Sequence, residues 1–321
     1  MAKRKIKVGI LSGGKSAEHD VSLVSARNVL QALDQKKYDI TAIEIGRDGN
    51  FDLELVKSFD VIFPVLHGPF GEDGSMQGLL KLAGVPFVGP GVLGSAVGMD
   101  KDFMKRLLRD AGIPIGKFVA VRKGEKINFN TIKKELILPM FIKPANMGSS
   151  VGISKVRNEK EFKKALATAF LFDTKVVIEE FIDGREIECA LLGNDLPMAS
   201  VPGEIIAGQD FYSYDAKYND SNSVSVIPAQ IDKKTAKKVQ EIAIKTFQVL
   251  GCEGLSRVDV FLKKNGEILV NEINTLPGFT DISMYPKMWE ASGLPVSKLL
   301  DRLVELAFER FDRDANLKSS V

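Results

Sequence analysis

Two acidic side chains are predicted to face each other across a β-hairpin. Apolar runs at residues 257–263 and 267–274 flank the dipeptide Asn-Gly at 265–266. This is a strong hairpin signal, because a type I′ turn needs positive φ at both central positions. With such a two-residue turn, Asp259 lies directly opposite Glu272 on one face of the sheet. Opposed carboxylates repel each other, so the pairing indicates that a cation lies between them.

The same face of the hairpin carries other groups that suit a divalent cation. Arg257 lies opposite Asn274 in this register, and Asp, Glu and Asn oxygens are ligands that Mg²⁺ accepts together with substrate phosphates. The alternative is a solvated polar face. Phe261 and Val270 are predicted on the same side and weaken that alternative, because apolar side chains there indicate packing against another element.

A second candidate site follows a predicted strand that ends at Lys143. The next segment, 144–152 (PANMGSSVG), offers backbone N–H groups and hydroxyls of the kind that cradle polyphosphate. A plain β-turn is the alternative, and Lys101 upstream favours the phosphate interpretation. Residues 179–186 (EEFIDGRE) follow another apolar strand and supply acceptors for an adenine edge and ribose hydroxyls. That pattern is not specific on its own, because exposed acidic loops are common.

The N-terminal glycines match a P-loop expression, but their context argues against a P-loop. Residues 9–16 (GILSGGKS) satisfy GxxxxGK[ST]. Residues 9–11 belong to the predicted first strand, however, and Glu18 adds negative charge where a phosphate would lie. We interpret the segment as a glycine-rich turn that lets Glu18 project into a cleft and hold an ammonium group. His67, at the end of another predicted strand, is equally consistent with a structural and a functional role.

Strands and helices alternate in the N-terminal part of the sequence. Strand-like runs at 7–11 and 61–66 flank a helical pattern at 22–33, which predicts an α/β unit with a parallel sheet. Ligands gather at the carboxyl ends of such strands, which here are residues 12–18 and 67–74.

The whole sequence divides into three predicted domains. The first covers residues 1–95 and ends in a Gly- and Pro-rich connector at 84–98. The second, residues 96–182, is a small α+β unit, and the third covers residues 183–321. Segment 203–226 is long, polar and aromatic without periodicity, so we predict an irregular active-site lid there.

Composition excludes several classes of protein. The 321 residues include 44 Lys+Arg and 42 Asp+Glu, and a net charge of +2 is too balanced for a protein whose main task is coating nucleic acid or anionic membrane. Cys189 and Cys252 have no metal-ligand or CxxC spacing, which fits a reducing cytosol. The longest uncharged run, 82–99, contains five glycines and two prolines and is not expected to span a membrane. With no signal-peptide pattern at the start, we expect a cytoplasmic protein without nucleic-acid or membrane partners.

Seven motifs occur in a characteristic order along the chain. They are GGKSAEH (13–19), HGPFGEDG (67–74), MDK (99–101), KP with GSSVG (143–144 and 148–152), YDAKY (214–218), RVD (257–259) and EINTLPGFT (272–280). Together they resemble the D-alanine–D-alanine ligases of the ATP-grasp superfamily, over residues 6 to 312.

The resemblance implies an α/β ATP-grasp fold of three α/β domains, with ATP held between the central and C-terminal sheets. It also implies a reaction in which ATP phosphorylates one D-alanine and the amine of a second attacks the D-alanyl phosphate. The product, D-alanyl-D-alanine, supplies peptidoglycan precursor synthesis. Two Mg²⁺ ions, which Mn²⁺ can replace, are implied on Asp259, Glu272 and Asn274, and a homodimer is the family expectation.

The resemblance also assigns roles to individual residues. It implies ATP contacts for Lys101, Lys143, Ser149, Ser150, Glu179, Glu186 and the backbone of Phe181 and Ile182. It implies substrate or catalytic contacts for Glu18, His67, Ser149, Lys217, Tyr218, Arg257, Gly278 and Ser283. Among these, Glu18 holds the first ammonium group, Arg257 and the Gly278 N–H stabilise the oxyanion, and Lys217 and Ser283 receive the second carboxylate. Glu18, Ser149 and Tyr218 form a hydrogen-bonded group that closes the lid.

Two other functions remain open. A D-alanine–D-lactate ligase, or another ATP-grasp carboxylate–amine ligase, shares the ATP-binding apparatus and differs in the second-substrate pocket. Tyr218 discriminates between them, since by resemblance ligases that accept D-lactate can carry phenylalanine there. A non-catalytic nucleotide-binding module is the second alternative, but it does not need both Asp259 and Glu272.

Overall fold

The computed structural model describes residues 4–206 and 224–318. Within them, three β-sheets succeed one another along the chain, and helices pack against them. Among the same residues, no helix is both long and apolar enough to cross a membrane. The predicted domain boundaries near residues 95 and 182 stay predictions.

The N-terminal sheet is parallel, as the alternation of strands and helices predicts. Its part of the chain contains β1 (Ile6–Gly13), α1 (His19–Ala32), β2 (Tyr38–Ile45), α2 (Leu53–Val56), β3 (Val61–Pro64), α3 (Ser75–Ala83) and α4 (Val92–Met99). β1 lies between β2 and β3. Because β1 continues through Gly13, the glycines of the P-loop match belong largely to a strand, which agrees with our rejection of that motif.

The middle sheet is antiparallel and carries the predicted phosphate-binding loop. This part contains α5 (Lys101–Asp110), β4 (Phe118–Arg122), α6 (Phe129–Leu136), β5 (Met140–Pro144), β6 (Ser154–Val156), α7 (Glu159–Ala169) and β7 (Lys175–Glu180). The strand order is β4-β7-β5-β6. Asp100 begins α5, where its carboxylate accepts the N–H groups of Asp102 and Phe103, so Lys101 lies in the first turn.

The third sheet supplies the predicted hairpin. This part contains β8 (Gly184–Gly193), β9 (Met198–Ala199), β10 (Gly203–Ile206), β11 (Val224–Val226), α8 (Lys233–Val249), β12 (Gly254–Lys263), β13 (Ile268–Asn274), α9 (Met284–Ala291) and α10 (Val296–Ala315). The strand order is β11-β10-β8-β12-β13, with β9 also paired to β8. Alternation along β8 puts Ile187 and Cys189 in a core with α8, while Ala190 and Leu192 join the core around α10.

The hairpin loop is one residue longer than predicted. Lys263, rather than Lys264, pairs with Glu267, and the N–H of Gly266 donates to the Lys263 carbonyl. The φ of Gly266 is 82°, the left-handed conformation that a three-residue hairpin loop requires. Because of the longer loop, the residues next to it on β12 and β13 pair one position away from the predicted register.

A β-bulge then restores the predicted register. β13 carries one extra residue, Asn271, at the point where the register shifts between Asp259 and Val260. Beyond the bulge, Asp259 faces Glu272 and Arg257 faces Asn274, as predicted.

Phe261 and Val270, however, do not share a face of the sheet, and that prediction is wrong. Between the hairpin loop and the bulge, Phe261 pairs with Leu269, and Val270 pairs with Val260. Val270 is buried in the core beneath α8, whereas Phe261 lines a cleft on the other face.

The predicted connector at 84–98 contains helix α4 instead. Its glycines serve close packing rather than flexibility. A Cβ on Gly94 would lie 2.6 Å from the carbonyl oxygen of Gly251, and one on Gly98 would lie 2.5 Å from a side-chain atom of Thr275. Glycines therefore occupy these positions of α4 because neighbouring atoms approach its backbone too closely for larger residues.

The predicted lid segment, 203–226, is not irregular at its ends. β10 and β11 pair antiparallel, with Glu204 opposite Val226. The two runs are too short to show a strand period, so the sequence does not reveal their pairing. Residues 207–223 lie outside the described residues, and a lid there stays a prediction.

One hydrophobic core joins the first and third sheets. Val8 of β1, Ala190 of β8 and Leu303 of α10 all belong to it. This packing brings α1 and the segment after β3 beside the loop that follows β13, where the Leu276 N–H donates to Glu72 and the Phe279 N–H donates to Ser25.

Candidate active site

Two cavities with a common wall contain every predicted site residue that the structure describes. The larger, of ≈ 280 Å³, lies between the middle and third sheets. It is lined by Lys101, Lys143, Ser149, Ser150, Glu179, Phe181, Ile182, Glu186, Asp259 and Glu272. The smaller, of ≈ 150 Å³, is lined by Glu18, His67, Asn274, Gly278 and Ser283, and shares Lys101, Ser149, Arg257 and Glu272 with the first. Lys217 and Tyr218 lie outside the described residues.

Three carboxylates form a row across the third sheet. Glu188 of β8 faces Asp259 of β12, which in turn faces Glu272 of β13. Arg257 donates to both oxygens of Asp259 at 2.7 Å, and its Nε lies 3.1 Å from Glu188 Oε2. Burial alone would lower the pKa of Arg257, but Asp259 and Glu188 outweigh it and hold the pKa well above its ordinary value.

The end of this row fits a hard divalent cation. Asn274 Oδ1 is buried and has no hydrogen-bond partner among the described residues. Lys101 Nζ lies 3.7 Å from Glu272, so this carboxylate is only loosely paired with it. No three His, Cys, Asp or Glu side chains in residues 4–206 and 224–318 form a metal cluster by themselves. A cation here would therefore need the Asn274 amide oxygen and oxygens from a ligand, the set that Mg²⁺ takes with phosphates.

A buried carboxylate on β7 is shared between two lysines. Glu179 lies 2.7 Å from Lys143 Nζ and 3.2 Å from Lys105 Nζ. Burial would raise the pKa of Glu179, but the two ammonium groups lower it to about 2. Burial lowers the pKa of Lys105, and Glu179 opposes this. Because Glu179 has two lysine partners, Lys143 can turn toward a phosphate while the ammonium group of Lys105 still neutralises the charge of the Glu179 carboxylate.

The loop after β5 joins the two cavities. Lys101 Nζ donates to the Met147 carbonyl at 2.7 Å, which fixes the start of the loop. Ser149 and Ser150 have φ of 49° and 61°, a left-handed conformation that is uncommon for non-glycine residues and is enriched at functional sites. The Ser149 hydroxyl donates to the carboxylate of Glu18, so the middle part of the chain contacts the N-terminal part here.

An aromatic wall borders the larger cavity opposite the carboxylate row. The Phe181 ring lies 6.3 Å from that of Phe141, and Lys155 Nζ lies 4.3 Å above the Phe181 ring. Glu186 faces Phe261 in the register of β8 and β12. This apolar wall with a nearby carboxylate suits a flat ring and an attached sugar.

His67 is buried in the smaller cavity near Glu18. Its Nε2 lies 3.3 Å from Ser25 Oγ, which also accepts the Phe279 N–H at 3.2 Å. Burial lowers the pKa of His67, and Glu18 only partly opposes this. The ring is therefore neutral near pH 7. Close by, Ser283 Oγ accepts the N–H of Thr280 at 2.9 Å.

Glu72 connects the two loops that enclose the smaller cavity. It accepts the Gly68 N–H at 2.6 Å and lies 3.4 Å from the Leu276 N–H. Burial, together with the charge of Glu18, raises the pKa of Glu72 to about 8. The sequence shows Glu72 within the motif at 67–74 but gives no sign of this burial.

Glu72→Gln is expected to change how stability depends on pH. The folded protein keeps the Glu72 proton up to about pH 8, whereas the unfolded chain releases it near pH 4.5. Between these values the free energy of unfolding of the wild type falls as pH rises, by at most about 1.4 kcal/mol per pH unit from this group. Glu72→Gln has no titrating group here, so its free energy of unfolding does not fall in this way. Urea unfolding at pH 5.5 and 7.5 should therefore show that the variant is more stable relative to wild type at pH 7.5 than at pH 5.5. A difference that is constant with pH would contradict the assignment, and Glu54→Gln on the exposed surface of α2 is the control.

Sequence reasoning missed two charged residues of the site. Lys105 follows Lys101 by four positions on α5, the helical spacing that puts both on one face. Glu188 follows Glu186 by two positions on β8, the spacing that puts both on one face of a sheet. Both signals are present in the sequence.

Comparisons with known proteins identify the class. Family models described as the N-terminus and C-terminus of D-ala D-ala ligase match residues 7–55, 51–90 and 107–305. A D-alanine–D-alanine ligase from Oceanobacillus iheyensis is 50% identical, over 98% of this chain and 99% of that protein. The D-alanine–D-alanine ligase structure from Coxiella burnetii superposes with a TM-score of 0.88 at 38% identity, over 98% and 97% of the two chains. The structure of the D-alanine–D-alanine ligase from Bacillus anthracis complexed with ATP superposes with a TM-score of 0.84 at 30% sequence identity, over 96% of this chain and 99% of that chain.

The fold and the charged cleft between two antiparallel sheets define an α/β protein of the ATP-grasp class. Its structural neighbours, the D-alanine–D-alanine ligases, have the same fold. The chain belongs to the D-alanine–D-alanine ligase family. The predicted fold class, the family resemblance and the assignment to a ligase are thereby confirmed.

Proposed function

We propose that this chain joins two D-alanines into D-alanyl-D-alanine with ATP, through a D-alanyl phosphate, and so supplies peptidoglycan precursor synthesis. The observation that carries the proposal is the common wall of the two cavities. This wall is formed by Lys101, Arg257, Glu272 and the hydrogen bond between Ser149 and Glu18. Phosphoryl transfer from a nucleotide in one cavity to a small carboxylate in the other requires such a place where the two cavities meet. The match to D-alanine–D-alanine ligases over the full chain supports it.

ATP would lie in the larger cavity. The aromatic wall with Phe181 and Ile182 accommodates the adenine, Glu179 accepts from its amino group, and Glu186 accepts from the ribose hydroxyls. Lys101, Lys143 and the hydroxyls of Ser149 and Ser150 bind the phosphates. The contact of Glu179 with Lys105 supports this division, since Lys143 is then available for phosphate.

Asp259, Glu272 and Asn274 would hold two Mg²⁺ ions, or Mn²⁺ in their place. The buried Asn274 oxygen and the opposed carboxylates fit such ions. When bound, the ions would neutralise charge on the transferring phosphoryl group. Through these ions, Asp259, Glu272 and Asn274 would orient the phosphates toward the smaller cavity.

The two D-alanines would occupy the smaller cavity. Glu18 binds the ammonium of the first, beside neutral His67, so that its carboxylate oxygen attacks the γ-phosphorus and ADP leaves. The second binds through its carboxylate to Lys217 and Ser283, loses a proton from its ammonium and attacks the acyl carbon. Arg257 and the Gly278 N–H donate to the oxyanion before phosphate leaves. Tyr218, with Glu18 and Ser149, closes the lid. We further propose that the chain acts as a cytoplasmic homodimer.

The test is phosphate release from ATP with D-alanine, L-alanine or D-lactate supplied separately, followed by mass spectrometry of the product. D-alanine alone should support rapid release, and the product should be the dipeptide. Release that does not depend on D-alanine would remove the substrate assignment. Abundant D-alanyl-D-lactate from a mixture of D-alanine and D-lactate would replace it with the depsipeptide alternative.

A further inference from the structure

One carboxylate of the row has no part in the proposed function. Glu188 is buried, lines both cavities and lies opposite Asp259 in register. Its Oε2 lies 3.1 Å from Nε of Arg257. It belongs neither to the nucleotide contacts nor to the three proposed metal ligands.

Arg257 and the metal site compete for Asp259. Both oxygens of Asp259 accept from Arg257 at 2.7 Å. The proposed function requires these same oxygens to face a metal ion. Arg257 must therefore release at least one of them, and a buried guanidinium without a carboxylate partner is strongly unfavourable.

We propose that Glu188 is a positioning residue, which holds Arg257 when Asp259 turns to the metal ion. Glu188 lies on the neighbouring strand at the same level of the sheet and already contacts Nε, so the guanidinium needs only to exchange one carboxylate for another. Arg257 then stays compensated and stays directed at the common wall of the cavities. This inference rests on the proposed function, because it assumes that Asp259 is a metal ligand.

The test measures binding of Mn²⁺ to the full chain with a non-hydrolysable ATP analogue, by electron paramagnetic resonance of the free ion. Glu188→Gln should weaken Mn²⁺ affinity about tenfold, the scale of losing a partner that orients a ligand, because Arg257 then depends on Asp259 alone. Glu188→Asp, which keeps the charge, should recover most of that loss. Equal weakening in both variants would overturn the proposal.

Glu204→Gln is the matched control. Glu204 accepts from both arms of Arg185 at 2.7 and 2.6 Å, and Arg185 belongs to the opposite face of the same β8 strand. This substitution also removes one carboxylate that pairs with an arginine, here a more exposed one, and should change Mn²⁺ affinity less than about twofold.

A double-mutant cycle separates positioning from direct ligation. In an Arg257→Met background, Glu188→Gln should change Mn²⁺ affinity less than about twofold, because the group through which it acts is gone. A tenfold loss that persists there would make Glu188 a ligand and overturn the proposal. If Asp259→Asn itself leaves Mn²⁺ affinity unchanged, the proposed metal site fails. If Asp259→Asn weakens binding and Glu188→Gln does not, only the role of Glu188 fails.

Discussion

Glu272→Gln is expected to lower kcat roughly 10³-fold while the protein stays folded, because it removes one metal-binding charge without changing the shape of the side chain. Glu272 faces Asp259 across the hairpin, and Lys101 Nζ lies 3.7 Å from its carboxylate. The measurement is steady-state turnover at saturating ATP, D-alanine and Mg²⁺, with circular dichroism to check folding.

Glu267→Gln provides the control on the same hairpin. Glu267 pairs with Lys263 at 2.7 Å on the exposed surface, and such pairs contribute about 1 kcal/mol or less. The control should retain wild-type turnover. Near-normal turnover of Glu272→Gln at saturating Mg²⁺ would remove Glu272 from the metal site. Asp259→Asn is a less direct test, because it also breaks the ion pair with Arg257.

The opposition of Asp259 and Glu272 could be predicted from the sequence, although the reasoning contained an error. The Asn-Gly dipeptide located the hairpin, but the loop has three residues instead of two. The bulge at Asn271 compensates for the extra residue. Bulges depend on neighbouring elements, and here the N–H of Val270 donates to the carbonyl of Pro114, a contact distant in sequence. A local pattern cannot contain that information.

The third carboxylate of the row could not be predicted in the same way. Glu188 meets Asp259 because β8 lies beside β12, two strands separated by the lid segment and a helix. Hairpin rules give the partner of each strand only within its own hairpin. Glu72 is a related case, since its raised pKa depends on burial between loops that lie far apart in sequence. Residue type and spacing thus identified candidate groups, whereas their electrostatic partners depend on the tertiary fold.

Arg257→Lys is expected to lower the rate of dipeptide synthesis about 10²-fold, the effect of losing one donor to an oxyanion. The substitution keeps the positive charge beside Asp259 and Glu188 but loses the planar fork that now donates at 2.7 Å to both oxygens of Asp259. A lysine presents one ammonium to the same space, so it cannot both contact a carboxylate of the row and donate to the substrate in the original geometry. Arg185→Lys, which alters a matching fork to Glu204 on the opposite face, should leave synthesis within about twofold of wild type.

Separate measurements of the two half-reactions show in which of them Arg257 acts. Formation of the D-alanyl phosphate can be followed by positional isotope exchange in ATP with D-alanine, and synthesis by the dipeptide formed. If Arg257 acts on the oxyanion, Arg257→Lys should retain most of the isotope exchange while synthesis falls, because the donor is needed only after the amine attacks. A parallel loss of exchange and synthesis would assign Arg257 to the phosphoryl-transfer step instead. Wild-type synthesis by the lysine variant would show that a charge alone suffices and that the fork between Asp259 and Glu188 has no part in the reaction.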